Sequence, residues 1–196
     1  MTISKKGFRV LGIAESFSRS LTHFKNMSVV AGIVMRGDFF VDGLIFNTIT
    51  LGGLDATERI LDMIENLNRP DVGLIMLGGT IISLYNIIDL HELYEEAKLP
   101  IIAVTYRESE GIGDILLNLP QGEKRLEIYR RNGPRIPIIL RNGYKVFIRH
   151  LGITLDDAIK ILNRFTIHGR YPEPVRVAKM IARAVLYFLE RIKGNS

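Results

Sequence analysis

The 196-residue chain has no cysteine, which excludes disulfides, thiolate metal sites and cysteine nucleophiles. It has only four histidines, His23, His91, His150 and His168, and no two of them have metal-ligand spacing. His168 is the one of interest, in the loop Thr166-Ile167-His168-Gly169-Arg170-Tyr171 ahead of the last helix. No apolar run is long enough to span a bilayer, and the opening MTISKKGFRV lacks an apolar signal core, so a cytoplasmic protein without a membrane partner is expected. There is no Walker loop, nucleophile elbow or dinucleotide fingerprint. The pairs Gly52-Gly53 and Gly78-Gly79 are too short to cradle a phosphate and read as tight turns or close backbone approaches.

Apolar residues make up 47% of the chain, enough for a sizeable core in one domain spanning 1–196. The net charge is +5 and the positive charge is uneven. Arg125, Arg130, Arg131, Arg135, Arg141, Lys145 and Arg149 lie in one short stretch, with Arg176, Lys179, Arg183, Arg191 and Lys193 near the end. Such a balance permits contact with a phosphate backbone, and equally describes a solvated basic face.

Periodicity predicts strands at Phe8–Ala14, Ser28–Met35 and Phe39–Thr50, the last two joined by the tight Arg36-Gly37-Asp38 connection. A helix follows over Leu54–Leu67, with Asp55 and Thr57 both suited to its start. Then come a strand at Val72–Leu77, a helix over about Asn86–Ala97 and a strand at Pro100–Tyr106. Beyond these the pattern gives a short helix in Gly111–Leu119, a charged helix over Gln121–Arg131 and a loop or edge strand around Gly133–Pro137. A strand at Tyr144–His150 and helices over Thr154–Phe165 and Pro174–Ile192 complete it. This order describes an α/β, RNase H-like mixed sheet of about five strands flanked by helices, with a helical C-terminal elaboration.

On mixed sheets of this kind, nucleases hold divalent metal with carboxylates at neighbouring strand ends. The acids so placed are Glu15, Asp55 and Asp89, the candidate catalytic and metal-binding set. The bland alternative makes Asp55 a cap and Asp89 an ordinary helix-start acid. For nucleic-acid binding the candidates are Arg125, Arg131 and Arg176.

Four segments, in order, resemble the archaeal endonuclease dU family (domain of unknown function 99), a distant relative of endonuclease V: Arg9-Val10-Leu11-Gly12-Ile13, Gly53-Leu54-Asp55-Ala56-Thr57-Glu58, Met76-Leu77 with Asn86-Ile87-Ile88-Asp89, and Pro172-Glu173-Pro174-Val175-Arg176-Val177-Ala178. The resemblance implies an RNase H-like fold, a role in cutting damaged DNA, DNA as partner, and Mg²⁺ or Mn²⁺ if the site is active. It carries over Asp55, Asn86, Asp89 and Arg176. The departures are specific. The family pattern after the first strand is an acidic pair and glycine, where this chain has Ala14-Glu15-Ser16. Gly52 and Gly78 stand where the family has an acid or amide. Losing two or three oxygen ligands removes organised two-metal chemistry. Three readings follow: a nuclease with a rearranged ligand set, a catalytically silent nucleic-acid-binding protein with no cofactor, or an assembly partner forming homo-oligomers through the last helix.

Overall fold

A computed structural model describes residues 7–19, 26–109 and 111–194. Its framework is a seven-stranded sheet in the order β3-β2-β1-β4-β7-β9-β8. Strands β1 (Arg9–Ser16), β2 (Met27–Arg36) and β3 (Val41–Thr50) form an antiparallel meander. β4 (Val72–Leu77) then pairs parallel to β1, and β7 (Ile101–Thr105) parallel to β4. β9 (Lys145–Leu151) returns antiparallel to β7, and β8 (Ile136–Ile139) closes that edge. The sheet exceeds the expected five strands because these last two segments join it. Pro137 is tolerated because β8 is an edge, where a missing N–H breaks no ladder on the outer side.

Alternation along β1 divides the core. Leu11 and Ile13 pack with α1 (Ala56–Leu67) and α2 (Leu90–Ala97) on one face. Val10 and Ala14 pack with α5 (Leu155–Phe165) and α6 (Glu173–Gly194) on the other. The remaining helices are α3 (Gly113–Leu117) and α4 (Gly122–Arg131). Gly12 lets α6 lie close on the sheet: a Cβ there would stand 2.3 Å from Pro174 Cβ. Along α6, Ala178, Ala182 and Leu186 are buried, whereas Tyr187, Phe188 and Ile192 at its far end are exposed.

The second predicted helix begins later than expected. Asn86–Ile87 is β6, paired with β5 (Ile81–Ile82) in a small two-stranded sheet, and the helix starts only at Leu90. Asn86 is fully buried as a cross-link: it accepts from Ala56 N–H at 3.1 Å and donates to Thr50 O and Asp55 Oδ1 at 3.0 and 2.7 Å. The helix boundary is set by Asp89, whose carboxylate accepts from the His91 and Glu92 N–H groups. Between β5 and β6, Ser83, Leu84 and Tyr85 all have positive φ.

Candidate functional site

The parallel strands β1 and β4 finish at the same sheet edge, where Gly78 N–H donates to Ile13 O at 2.9 Å. The start of α6 crosses this edge. A Cβ on Gly78 would stand 3.6 Å from Ala14 Cβ and 3.0 Å from a Val175 methyl. The strand-end residues Ala14 and Gly78 are therefore neighbours, and they present only aliphatic surface.

The proposed acids do not gather there. Glu15 borders the edge with its side chain 12% exposed; Lys179 Nζ lies 3.8 Å from its Oε1 and donates to its main-chain oxygen at 2.5 Å. Its Oε2 is buried with no partner. Burial pushes this carboxyl above the ordinary glutamate range, opposed by Lys179 and by the Ser83 N–H. Asp55 precedes α1 without capping it and instead accepts from Thr50 N–H, Thr50 Oγ1 and Asn86. Its burial works against ionisation, yet the hydrogen bonds from Asn86 and Thr50 outweigh it and hold the carboxyl below its usual value. Asp89 is 1% exposed, caps α2 and forms an ion pair with Arg131. Among the described residues no group of three acidic, histidine or cysteine side chains could hold a metal ion. Mg²⁺ requires a shell of hard oxygens. One buried carboxylate beside a lysine, two small apolar residues and a valine does not fit such an ion.

The arginines are also redistributed. Arg125 is 3% exposed and donates to the carbonyls of Pro120, Gly53, Tyr85 and Gly52 at 2.6–3.0 Å. It stitches α4 to the turn after β3 and cannot reach a phosphate. Arg131 pairs with Asp89. Arg176 remains half exposed although it pairs with Glu173 at 2.5 Å. Of the histidines, His91 contacts Arg131 O, His150 contacts Ile153 O and His168 is exposed; His23 lies outside the described residues.

A groove links the strand edge to the basic segment. A cavity of about 490 Å³ is bordered by Ala14, Glu15, Gly78, Tyr106, Tyr171, Arg176 and Lys179. An adjoining one of about 300 Å³ shares Gly78, Tyr106 and Tyr171 with it and adds Arg107 and Arg135. A third of about 500 Å³ shares Ser109 and Arg135 with the second and adds Tyr129, Arg130, Phe147 and Arg149. Cations thus alternate with aromatic rings along the groove, and Tyr106 and Tyr171 lie with ring centroids 4.2 Å apart. Arg135 and Arg149 stand out only in three dimensions. The signal was present in β9, where alternation puts Lys145, Phe147 and Arg149 opposite the core-facing Val146 and Ile148.

The family profile described as endonuclease dU matches residues 6–186. This chain belongs to that family. A UPF0215 protein of Pyrobaculum calidifontis is 37% identical over 183 residues, covering 92% of this chain and 98% of the relative. One from Methanosarcina acetivorans is 37% identical over 187 residues, covering 93% of each. In three dimensions the chain resembles a protein of unknown function from Archaeoglobus fulgidus, with TM-score 0.79, 29% identity, and coverage of 91% of this chain and 98% of that one. Endonuclease V of Ciona intestinalis, solved with an inosine-containing DNA, superposes with TM-score 0.60 at 18% identity over 94% of this chain and 87% of that one. At that identity the likeness establishes the RNase H-like fold and no more. In this chain Asn86 donates to Asp55 at 2.7 Å and the start of α6 covers a strand edge that is aliphatic.

Proposed function

We propose that this endonuclease dU family member binds nucleic acid along the groove and has no metal-dependent cleavage activity. The observation that carries the reading is the union of two features in one surface. Arg107, Arg130, Arg135, Arg149, Arg176 and Lys179 follow a groove whose walls are tyrosine and phenylalanine. That groove passes a strand edge where Ala14 and Gly78 offer no oxygen ligand. Cations track a phosphate backbone and aromatic faces accept bases without sequence preference. The DNA seen with Ciona endonuclease V supports the choice of partner by analogy of fold.

Fluorescence anisotropy on labelled single- and double-stranded oligonucleotides across a salt series tests the reading. With about four to six phosphates neutralised, log K should fall against log salt with a slope of roughly −3 to −5. Salt-insensitive binding, or none, would overturn it. Cleavage of uracil- or inosine-containing DNA with Mg²⁺ or Mn²⁺, lost in Glu15→Ala, would instead favour the nuclease reading. The one feature that keeps Glu15 relevant to that alternative is its buried, unpartnered Oε2 at the strand edge.

A further inference from the structure

We infer that Arg149 and Arg135 form a site for a phosphate monoester dianion, presented by the phosphorylated end of a strand lying in the groove. The identity of the carrier rests on the nucleic-acid reading above; the anion site itself does not.

Arg149 is 7% exposed, yet the acceptors it holds are neutral: Nε donates to Gly133 O at 2.8 Å and Nη1 to Thr80 Oγ1 at 3.3 Å. Its guanidinium lies over the Tyr129 ring, 5.7 Å from the centroid. Arg135 likewise donates to Thr105 Oγ1, Arg107 O, Ser109 O and Ser109 Oγ, and lies over Phe147. Among the described residues neither guanidinium has a carboxylate partner. Glu108, which also borders the cavity, is 78% exposed and paired with Lys145 at 3.4 Å. A desolvated charge without a counter-charge is costly, and proteins pair such groups or use them. Here two cations share one recess and repel each other. Burial lowers the Arg149 pKa, Tyr129 opposes this, and the charge of Arg135 adds a smaller lowering. Either arginine alone would be ordinary, but two of them facing a cavity imply an anion.

The shape of the recess selects which anion. Behind the outer cavity lies a pocket of about 80 Å³ bordered by Thr80, Thr105, Ser109, Tyr129, Arg135 and Arg149. A single water needs only roughly 10–15 Å³ of such space, so the pocket accommodates a larger polar group. The Arg149 fork, the positive charge of Arg135 and the hydroxyls of Thr80, Ser109 and Tyr129 match the several oxygens of a phosphate. An internal phosphodiester carries one negative charge and two ester arms, which hold it in the outer groove. A terminal monoester carries close to two at neutral pH and has one arm, so it matches the charge of the pair and can enter the recess.

The test compares one single-stranded oligonucleotide carrying a 5′-phosphate, a 3′-phosphate or neither, with a nucleoside monophosphate and inorganic phosphate as free-ligand arms. One terminal phosphate should tighten binding at least tenfold over the unphosphorylated strand. The advantage should shrink below about pH 6, where the monoester regains its second proton. Arg149→Gln should erase the advantage: as Arg149 is also one of the groove cations, both strands should weaken, the phosphorylated one at least tenfold more. Because Arg149 also holds Gly133, Arg135→Gln provides a second variant with the same expectation. Equal affinity for phosphorylated and unphosphorylated strands would overturn the inference while leaving groove binding intact. Should inorganic phosphate raise the Tm of the wild type but not of Arg149→Gln, with no oligonucleotide bound, the anion site would stand and the strand carrier would be overturned.

Discussion

Replacing Ala14 and Gly78 together by aspartate tests the claim that missing ligands, and not a changed scaffold, remove the metal site. The two Cβ atoms would stand 3.6 Å apart, so the new carboxylates must share one small volume. Two unit charges about 4 Å apart repel by about 4 kcal/mol at an effective dielectric near 20. The Val175 methyl, 3.0 Å from the Cβ at position 78, adds a packing penalty of about 1–3 kcal/mol. Uptake of one shared proton relieves part of the repulsion, so the double variant in EDTA at neutral pH should lose about 3–5 kcal/mol. A divalent ion reverses this: at a hundred times its Kd, binding restores about 2.7 kcal/mol. For a chain of this length that is a Tm rise of roughly 5–10 °C between EDTA and millimolar Mn²⁺. Thermal unfolding followed by far-UV circular dichroism reads it directly, with the wild type expected to show no such rise. An equal metal-dependent rise in the wild type would mean that Glu15 and its neighbours already hold an ion. A folded double variant indifferent to Mn²⁺ would mean that the edge is not a ligand position at all.

Further outcomes follow from the same contacts. Arg125→Met should destabilise by at least about 3 kcal/mol in urea unfolding, because four carbonyls lose their donor, while the folded fraction keeps its affinity for DNA. Gly12→Ala should cost about 3 kcal/mol, since its methyl would collide with Pro174 and lift α6 from the sheet; an unchanged urea midpoint would show that the helix is not seated there. Glu15→Gln should separate from the wild type as pH rises. Burial raises the native carboxyl pKa, so the native state holds its proton more tightly; wild-type stability is full below the unfolded value near 4.3 and declines as pH climbs through the folded value. Below about pH 4 the two proteins should have closely similar stability, and near neutrality the glutamine variant should be the more stable. Parallel curves from pH 4 to 8 would contradict the assignment.

Most of the sheet was legible because β1, β2 and β4 are short apolar runs, rich in β-branched residues and bounded by turn residues. The start of the second helix was not. Ile87-Ile88 continues a plausible helical face, and nothing local reveals that Asn86 is bound to Asp55 and Ala56 thirty residues away. Three successive positive φ angles at Ser83, Leu84 and Tyr85 also have no glycine to announce them. Arg125 shows the opposite case. Its charge suggested a phosphate contact, but helical spacing sets it on one stripe with Gly122 and Ile128, all buried. The lack of side-chain oxygens at Ala14 and Gly78 was visible in the sequence, whereas the proximity of Arg135 and Arg149 depends on how β9 and the loop ahead of β8 meet beside β7.

The left-handed run at 83–85 has a consequence for the order of assembly. Three non-glycine residues in that region raise the free energy by about 3–6 kcal/mol. The bonds that offset this come from far along the chain: Ser28 meets Ser83, Gly52 N–H reaches Ser83 O at 2.7 Å, and Arg125 grips Tyr85 O at 2.6 Å. The contacts that hold the arch need the complete meander and a docked α4, which predicts that it closes late in folding. Amide exchange at 83–86 should therefore run ahead of exchange in β1 and β4.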